Sequence, residues 1–200
     1  MADGDLFAVV DVGSARIKTL VGTFSDDPHQ PGKQQLNILG VGSVKSEGIR
    51  KGSILDMEEF KKNLDESLSE AENMSGQQFT SVSICLSGTS ISVDQNKGMI
   101  AVPDEEISQD DVNRVLDMAQ NGLSLNNQTI LKIIPESFSV DLENYVKSPI
   151  GMQAKKLEVN AHIFSVSTTI LSNVKKGFSD IGIEVTDVYP TLLAGPEAVL

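Results

Sequence analysis

Hydrophobic positions along the chain fall into short runs that predict strands, separated by stretches with helical spacing. The mostly apolar run 6–12 fits a buried strand, and alternating positions from Ile17 predict a second strand directly after a tight turn. A third strand is predicted over 36–44, after a polar turn region at 25–35. Short turns join the three strands, so we expect an antiparallel meander.

A helix is predicted next, because its start and its stop are both visible. Asp56, with Glu59 three positions later, has the form of an N-terminal cap. Apolar side chains then recur at spacings of three and four as far as Ala71, and Gly76 is a suitable stop. A strand over 79–86 follows.

The pattern changes between residues 87 and 165. Ser108 begins a second capped helix, and short strands surround it. The predicted strands are 91–93, 98–102, 129–134, 136–142 and 155–164. Strands, one helix and more strands within about 80 residues indicate a small α+β unit of its own.

The last stretch, 166–200, returns to alternating helix and strand. A helix closed by Gly182 precedes a strand over 183–188, and a new apolar helical pattern opens at Pro196, where the sequence stops. We therefore expect the chain to be a fragment, with 1–86 and 166–200 in one unit.

Composition and charge argue against several classes of function. The chain has 200 residues, with 16 Lys and Arg against 28 Asp and Glu, a formal net charge of −12. No basic run is long enough to follow a phosphate backbone, so no nucleic-acid partner is expected. The acidic N-terminus is unlike a secretory signal, and no apolar stretch approaches the ~18 residues that cross a bilayer. These features predict a cytoplasmic chain.

Cysteine and histidine usage argues against a metal site. The single Cys85 excludes an intrachain disulfide and a multi-cysteine zinc site, and its apolar neighbours favour a small core residue over a nucleophile. His29 is predicted in a solvated loop and His162 on the outward side of a strand. Neither has ligand spacing around it.

Residues 11–18 are the one constellation with chemical content. A strand ends in Asp11, turns at Gly13 and Ser14, and leaves as a second strand carrying Lys18. Glycine lets a ligand approach the backbone, turn amides and a hydroxyl can donate to phosphate oxygens, and a lysine supplies positive charge. A carboxylate can hold Mg²⁺ through water. The same four residues, Asp-Val-Gly-Ser, also make a plain hairpin turn.

The order of the elements around this turn favours a ligand-binding function. A turn between the first two strands of a meander that precedes a helix resembles the first phosphate loop of the actin/Hsp70/hexokinase superfamily. The resemblance implies a nucleotide site with Mg²⁺ held by Asp11 through water and no catalytic residue assigned. Its implied nucleotide-binding residues are Asp11, Gly13, Ser14, Ala15 and Lys18.

Further stretches along almost the whole chain resemble the FtsA family of bacterial cell-division proteins. The matching stretches are 38–43, 46–54, 70–76, 86–88, 98–100, 134–136 and 147–152. The resemblance implies an α/β fold: an actin-like, ribonuclease H-like subdomain 1A with an inserted α+β subdomain of the SHS2 type, called 1C. The expected boundaries are 1–86 for the first part of 1A, 87–165 for the insertion and 166–200 for the return to 1A.

The resemblance to this family implies a function in assembly. Proteins of this kind bind ATP with Mg²⁺ and tether filaments of the tubulin-like FtsZ to the inner face of the cell membrane at the division site. They self-associate into filaments, and the inserted subdomain contacts later division proteins. The family's second phosphate loop, FtsZ-binding subdomains and membrane-targeting helix are absent here, so at most weak ATPase activity is expected.

Two alternatives remain open from the sequence. PilM, an actin-like protein of type IV pilus assembly, carries a similar insertion and binds a short peptide from a pilus partner. A sugar kinase of the same superfamily would need a carboxylate general base, and nothing in the sequence identifies one. The stretches 46–48 and 149–151 favour the FtsA family over PilM.

Overall fold

The computed structural model describes residues 6–26, 33–89, 91–103, 105–123, 126–141 and 143–193. The chain divides into two compact units, the first made of residues 1–91 and 168–200 and the second of residues 92–167. The predictions for His29 and for a helix opening at Pro196 lie outside the described residues.

The helices and strands of the first unit come from both ends of the chain. They are β1 (Leu6–Val12), β2 (Arg16–Asp26), β3 (Gln34–Lys45), β4 (Ile49–Arg50), β5 (Ser53–Ile54), α1 (Met57–Ser75), β6 (Ser81–Leu86) and, after the second unit, α3 (Thr168–Asp180) and β11 (Glu184–Pro190). The second unit holds β7 (Ile91–Ala101), α2 (Gln109–Asn121), β8 (Gln128–Val140), β9 (Glu143–Val146) and β10 (Lys156–Ser167).

The first unit is built on a five-stranded sheet in the order β11-β6-β1-β2-β3. β1, β2 and β3 form the predicted antiparallel meander, whereas β1, β6 and β11 run parallel. The parallel pairs need a crossover, and α1 and α3 supply it. β4 and β5 form a separate two-stranded hairpin.

The sequence predicts α1 correctly because its signals are local. The Asp56 carboxylate accepts the backbone N–H groups of Glu58 and Glu59, at 3.0 and 3.1 Å, and satisfies donors that the first helical turn leaves free. Gly76 ends the helix in the left-handed conformation, with φ of 67°. Phe60 and Leu64 on the predicted apolar face have no exposed surface.

α1 packs directly on β3 because two glycines remove the side chains between them. A Cβ at Gly42 would meet the carbonyl oxygen of Ser67, and a Cβ at Gly40 would meet that of Ala71. The two backbones can therefore approach only where β3 carries no side chain.

The second unit has a four-stranded sheet in the order β7-β10-β8-β9 and its own core. α2 begins with a capping box in which Ser108 and Asp111 satisfy each other's backbone N–H groups. Leu157, Val159 and Ala161 are buried on one face of β10, as their alternation predicts. Together with the apolar face of α2 they form a core independent of the first unit's sheet.

Two strands are longer than the sequence predicts. β7 is continuous over Ile91–Ala101, and β8 runs through Pro135. Ala161 pairs with Pro135 and Asn160 with Ser137, so Glu136 is an extra residue in the ladder. A bulge tolerates a proline that cannot donate a ladder hydrogen bond, so the strand bends without ending.

We expect Gly42→Ala to destabilise the first unit by about 1 to 3 kcal/mol, because the added methyl group forces α1 away from β3. Val41→Thr, at the exposed neighbouring position, keeps a β-branched side chain and should change the free energy of unfolding by no more than about 0.5 kcal/mol. Urea unfolding of both variants provides the measurement. Equal effects would show that α1 does not depend on this close approach.

Candidate functional site

Asp11 lies at the point where two kinds of strand pairing meet. It is the second-last residue of β1, and its neighbours across the sheet are Lys18 in antiparallel β2 and Cys85 in parallel β6. The carboxyl ends of parallel strands are where α/β sheets commonly bind ligands. The structure thus brings Asp11 and Lys18 together, as the sequence pattern indicates.

The turn after β1 is tight for a reason within its own backbone. A Cβ at Gly13 would lie 2.6 Å from the carbonyl oxygen of Arg16. The Ala15 carbonyl accepts the Ser46 N–H at 3.0 Å, so the turn is also fixed from the segment after β3. Glycine is required here whether or not a phosphate approaches.

The Asp11 carboxyl group is in an unfavourable environment for a charge. Burial raises its pKa above the ordinary value, while the positive charge of Lys18 and then the nearby Thr191 hydroxyl act in the opposite direction. Its Oδ1 atom is buried and has no hydrogen-bond partner within the described residues. A buried acceptor without a donor costs free energy. We therefore expect a ligand or an ordered water to donate a hydrogen bond to this atom.

Thr191 is a site residue that the sequence did not indicate. It follows β11, whose last residue, Pro190, pairs with Leu86 in β6. The Thr191 hydroxyl lies 3.0 Å from the Leu86 carbonyl oxygen and also beside Asp11. Only the parallel pairing of β11 with β6 brings residues so distant in sequence to this edge.

Cys85 is half-buried, and its environment disfavours a nucleophilic role. Burial, and then the negative charge of Asp11, raise the pKa of the Cys85 thiol. Both effects disfavour the thiolate, which is the reactive form. The sequence favours a small core residue at this position, whereas the structure leaves Cys85 half-buried and outside the buried core.

Ser14 is held by the β4–β5 hairpin. The Gly52 N–H donates to the Ser14 Oγ at 3.0 Å. Because the serine oxygen accepts this bond, its own hydroxyl proton stays available for an acceptor such as a phosphate oxygen. Arg16, in contrast, is turned to β3, where its Nε and Nη2 donate to the Oγ and carbonyl oxygen of Ser43 at 2.9 and 2.8 Å.

The donor set suits a phosphate with its own magnesium ion better than a metal held by protein alone. Among the described residues there is no group of three or more His, Cys, Asp or Glu side chains that could hold a metal ion. Mg²⁺ usually keeps several waters and takes one or two carboxylates together with substrate phosphates. The unpaired Oδ1 of Asp11 fits that arrangement.

The described helices include none that is long and apolar enough to span a membrane.

The fold and the inserted unit define an actin-like α/β protein with an SHS2-type subdomain. Residues 88–165 match the family described as the SHS2 domain inserted in FtsA. The resemblance that the sequence motifs indicate is therefore confirmed: the chain is related to the FtsA cell-division proteins along its whole length.

Three curated relatives illustrate this relationship. The chain is 34% identical to FtsA of Bacillus subtilis (strain 168), with 100% of the chain and 44% of that protein covered. Identity is 29% to FtsA of Escherichia coli (strain K12), over 99% of the chain and 46% of that protein. For FtsA of Enterococcus hirae the identity is 32%, over 100% and 44%. The chain spans less than half the length of these relatives.

A solved structure supports the fold. A chain of a PilM–PilN type IV pilus biogenesis complex superposes with a TM-score of 0.62 at 12% identity, covering 94% of this chain and 48% of that chain. At this identity the likeness concerns the fold alone. It shows that the PilM-like alternative shares the architecture, whereas the match at 88–165 is to the FtsA type of insertion.

We expect Asp11→Asn to raise the melting temperature at pH 7. The folded-state pKa of Asp11 lies above the ordinary value of 3.8, so the charged carboxylate weakens the fold. That penalty is complete above the raised pKa and disappears as the pH falls towards 3.8, so the gain should shrink over that range. Thermal melts between pH 7 and pH 4 provide the measurement.

Asp180→Asn is the control with the opposite sign. A hydrogen bond from Lys176 lowers the pKa of Asp180, so its charge stabilises the fold at pH 7. This variant should lower the melting temperature at pH 7. A lower melting temperature for Asp11→Asn as well would contradict the environment assigned to Asp11.

Proposed function

We propose that the first unit binds a nucleoside triphosphate with Mg²⁺ at the turn between β1 and β2, and that the chain is part of an FtsA-type cell-division protein. The observation that supports the site most strongly is the buried Oδ1 of Asp11, which lacks a donor at the carboxyl end of β1. A hydration water of Mg²⁺ would supply that donor.

The surrounding groups suit the phosphates. The Ser14 hydroxyl proton is available to a phosphate oxygen, because the serine oxygen already accepts the Gly52 N–H. Lys18, the cross-strand neighbour of Asp11, supplies positive charge. Gly13 and Ala15 complete the turn whose backbone faces the phosphates in this proposal. Mg²⁺, when bound, would neutralise phosphate charge.

The larger role follows from the relatives. FtsA proteins are cell-division proteins, and we propose the same process for this chain. In the whole protein, FtsZ and the cytoplasmic membrane would be bound by parts outside these 200 residues, and the protein would sit peripherally at the division site. Self-association into filaments and contacts of residues 87–165 with later division proteins belong to the same proposal.

A PilM-like role has less support than a role in cell division. The structural likeness to the PilM-containing complex concerns the fold, and the relatives of known function at 27–34% identity are FtsA proteins. A sugar kinase would need a carboxylate placed for a sugar hydroxyl. Asp11 is a carboxylate at this edge, and its proposed part is to hold the metal.

We expect the chain to bind Mg-ATP weakly and to hydrolyse it negligibly, because we propose that the second phosphate loop lies outside these residues. Calorimetry at low salt measures the affinity. Asp11→Asn keeps the shape of the side chain but should weaken binding about tenfold or more and remove its dependence on Mg²⁺. Asp65→Asn, at an exposed position of α1, is the matched control.

The two effects of Asp11→Asn separate a ligand site from a plain turn. A ligand site predicts higher stability together with lower affinity, since the charge that weakens the fold is the charge that holds the metal. A plain hairpin turn predicts the gain in stability alone. Unchanged Mg-ATP affinity in a well-folded Asp11→Asn protein would exclude the site.

A further inference from the structure

The hairpin formed by β4 and β5 carries two adjacent cations at the candidate site. Ile49 pairs with Ile54 and Arg50 with Ser53, so Lys51 and Gly52 form a two-residue turn. Both turn residues have positive φ, 51° at Lys51 and 80° at Gly52. These angles define a type I′ turn.

Turn chemistry alone does not explain a lysine at this position. Asn-Gly and Asp-Gly are the favoured pairs in type I′ turns, because Asn and Asp adopt the left-handed conformation with less strain. Non-glycine residues held in sparsely populated conformations cluster at ligand sites. The Lys51 side chain is exposed and, within the described residues, takes part in no ion pair.

The backbone of this turn is fixed from two sides. The Gly52 N–H donates to the Ser14 Oγ at 3.0 Å, which joins it to the loop after β1. On the other side, the Thr89 hydroxyl donates to the Lys51 carbonyl oxygen at 3.4 Å, and a Cβ at Gly88 would lie 3.2 Å from that oxygen. The turn therefore lies between the loops that follow the two parallel strands β1 and β6.

The net negative charge of the chain makes the cations on the β4–β5 turn important for an anionic ligand. The chain carries a net charge of −12, so an anion meets a repulsive surface over most of it. Arg50 and Lys51 are exposed cations that directly precede Gly52, whose N–H donates to Ser14, and Lys18 pairs with Asp11 across β1 and β2. Local positive charge is needed most where a polyphosphate has to approach Asp11.

We propose that Lys51 is a second phosphate-binding cation, presented by the β4–β5 turn to the outer phosphates of the nucleotide, and that Ser14 couples this turn to the phosphate loop. The inference rests on the proposed function. It extends the proposed nucleotide site to residues 50–53. Lys18 and Lys51 would then contact the ligand from opposite sides of Ser14.

Lys51→Asn tests the charge without disturbing the turn, because asparagine suits the left-handed conformation. We expect its melting temperature to equal or exceed that of the wild type. Its affinity for Mg-ATP should fall about three- to tenfold at low salt, as for the loss of one partly exposed charged contact. The salt dependence of its affinity should also be weaker than that of the wild type.

Two further variants control for charge and for structure. Lys51→Arg keeps the positive charge and should retain most of the affinity. Lys62→Ala removes one positive charge from an exposed position of α1, where the side chain is 70% accessible, and should bind Mg-ATP like the wild type. Calorimetry with Mg-ATP, Mg-ADP and tripolyphosphate compares all four proteins.

The possible failures are distinguishable. Wild-type binding of Mg-ATP together with unchanged affinity and salt dependence in Lys51→Asn would overturn the role of Lys51 and leave the nucleotide site standing. Equal losses of Mg-ATP affinity in Lys51→Asn and Lys62→Ala would show that net charge alone causes the effect. That result would also overturn the role of Lys51. No saturable binding of any of the three ligands by the wild type would overturn the proposed function and the role of Lys51 with it.

Discussion

The double pairing of β1 is the constraint on which the candidate site depends. β1 is hydrogen-bonded to antiparallel β2 on one side and to parallel β6 on the other, so its direction fixes which end of the sheet gathers loops. The hairpin to β2 and the loop after β6 both leave from the end that carries Asp11. β11 extends the parallel set and brings Thr191 to the same edge.

That geometry places the Asp11 carboxylate where burial disfavours its charge. Burial raises the pKa of Asp11, and the negative charge of Asp11 adds to the burial that raises the pKa of the neighbouring Cys85 thiol. Lys18 compensates only in part, because the net direction of the Asp11 pKa shift is still upward. A carboxylate whose charge is disfavoured by burial, and whose buried oxygen has no donor among the described residues, is typical of a binding site.

Local signals explain how much of the fold the sequence predicts. The caps of α1 and α2 and the alternation in β2 and β10 depend on neighbouring residues, so Asp56, Ser108 and Leu157 are recognised without any tertiary information. The errors occur where pairing overrides a local signal. Pro135 marks a break in the sequence, yet pairing with β10 carries β8 past it through a bulge at Glu136.

Strands of two residues leave no periodic signal, so the β4–β5 hairpin is missed, and with it one side of the site. Asp11, Ser14 and Lys18 lie close together in sequence, which predicts them together as a candidate site. Thr191 reaches the same edge through the pairing of β11 with β6, and the turn at Lys51 is joined to the edge by the hydrogen bond of Gly52 with Ser14. Such contacts cannot be inferred from spacing along one chain.

Gly13 shows that a sequence motif alone is not evidence for a ligand site. The sequence suggests that glycine is needed for a phosphate to approach, but the Arg16 carbonyl oxygen already excludes a Cβ at this position. The same glycine would be required in a hairpin that binds nothing. The case for a ligand therefore depends on groups that the turn itself does not need: the unpaired Oδ1 of Asp11, the available hydroxyl proton of Ser14 and the unpaired charge of Lys51 among the described residues.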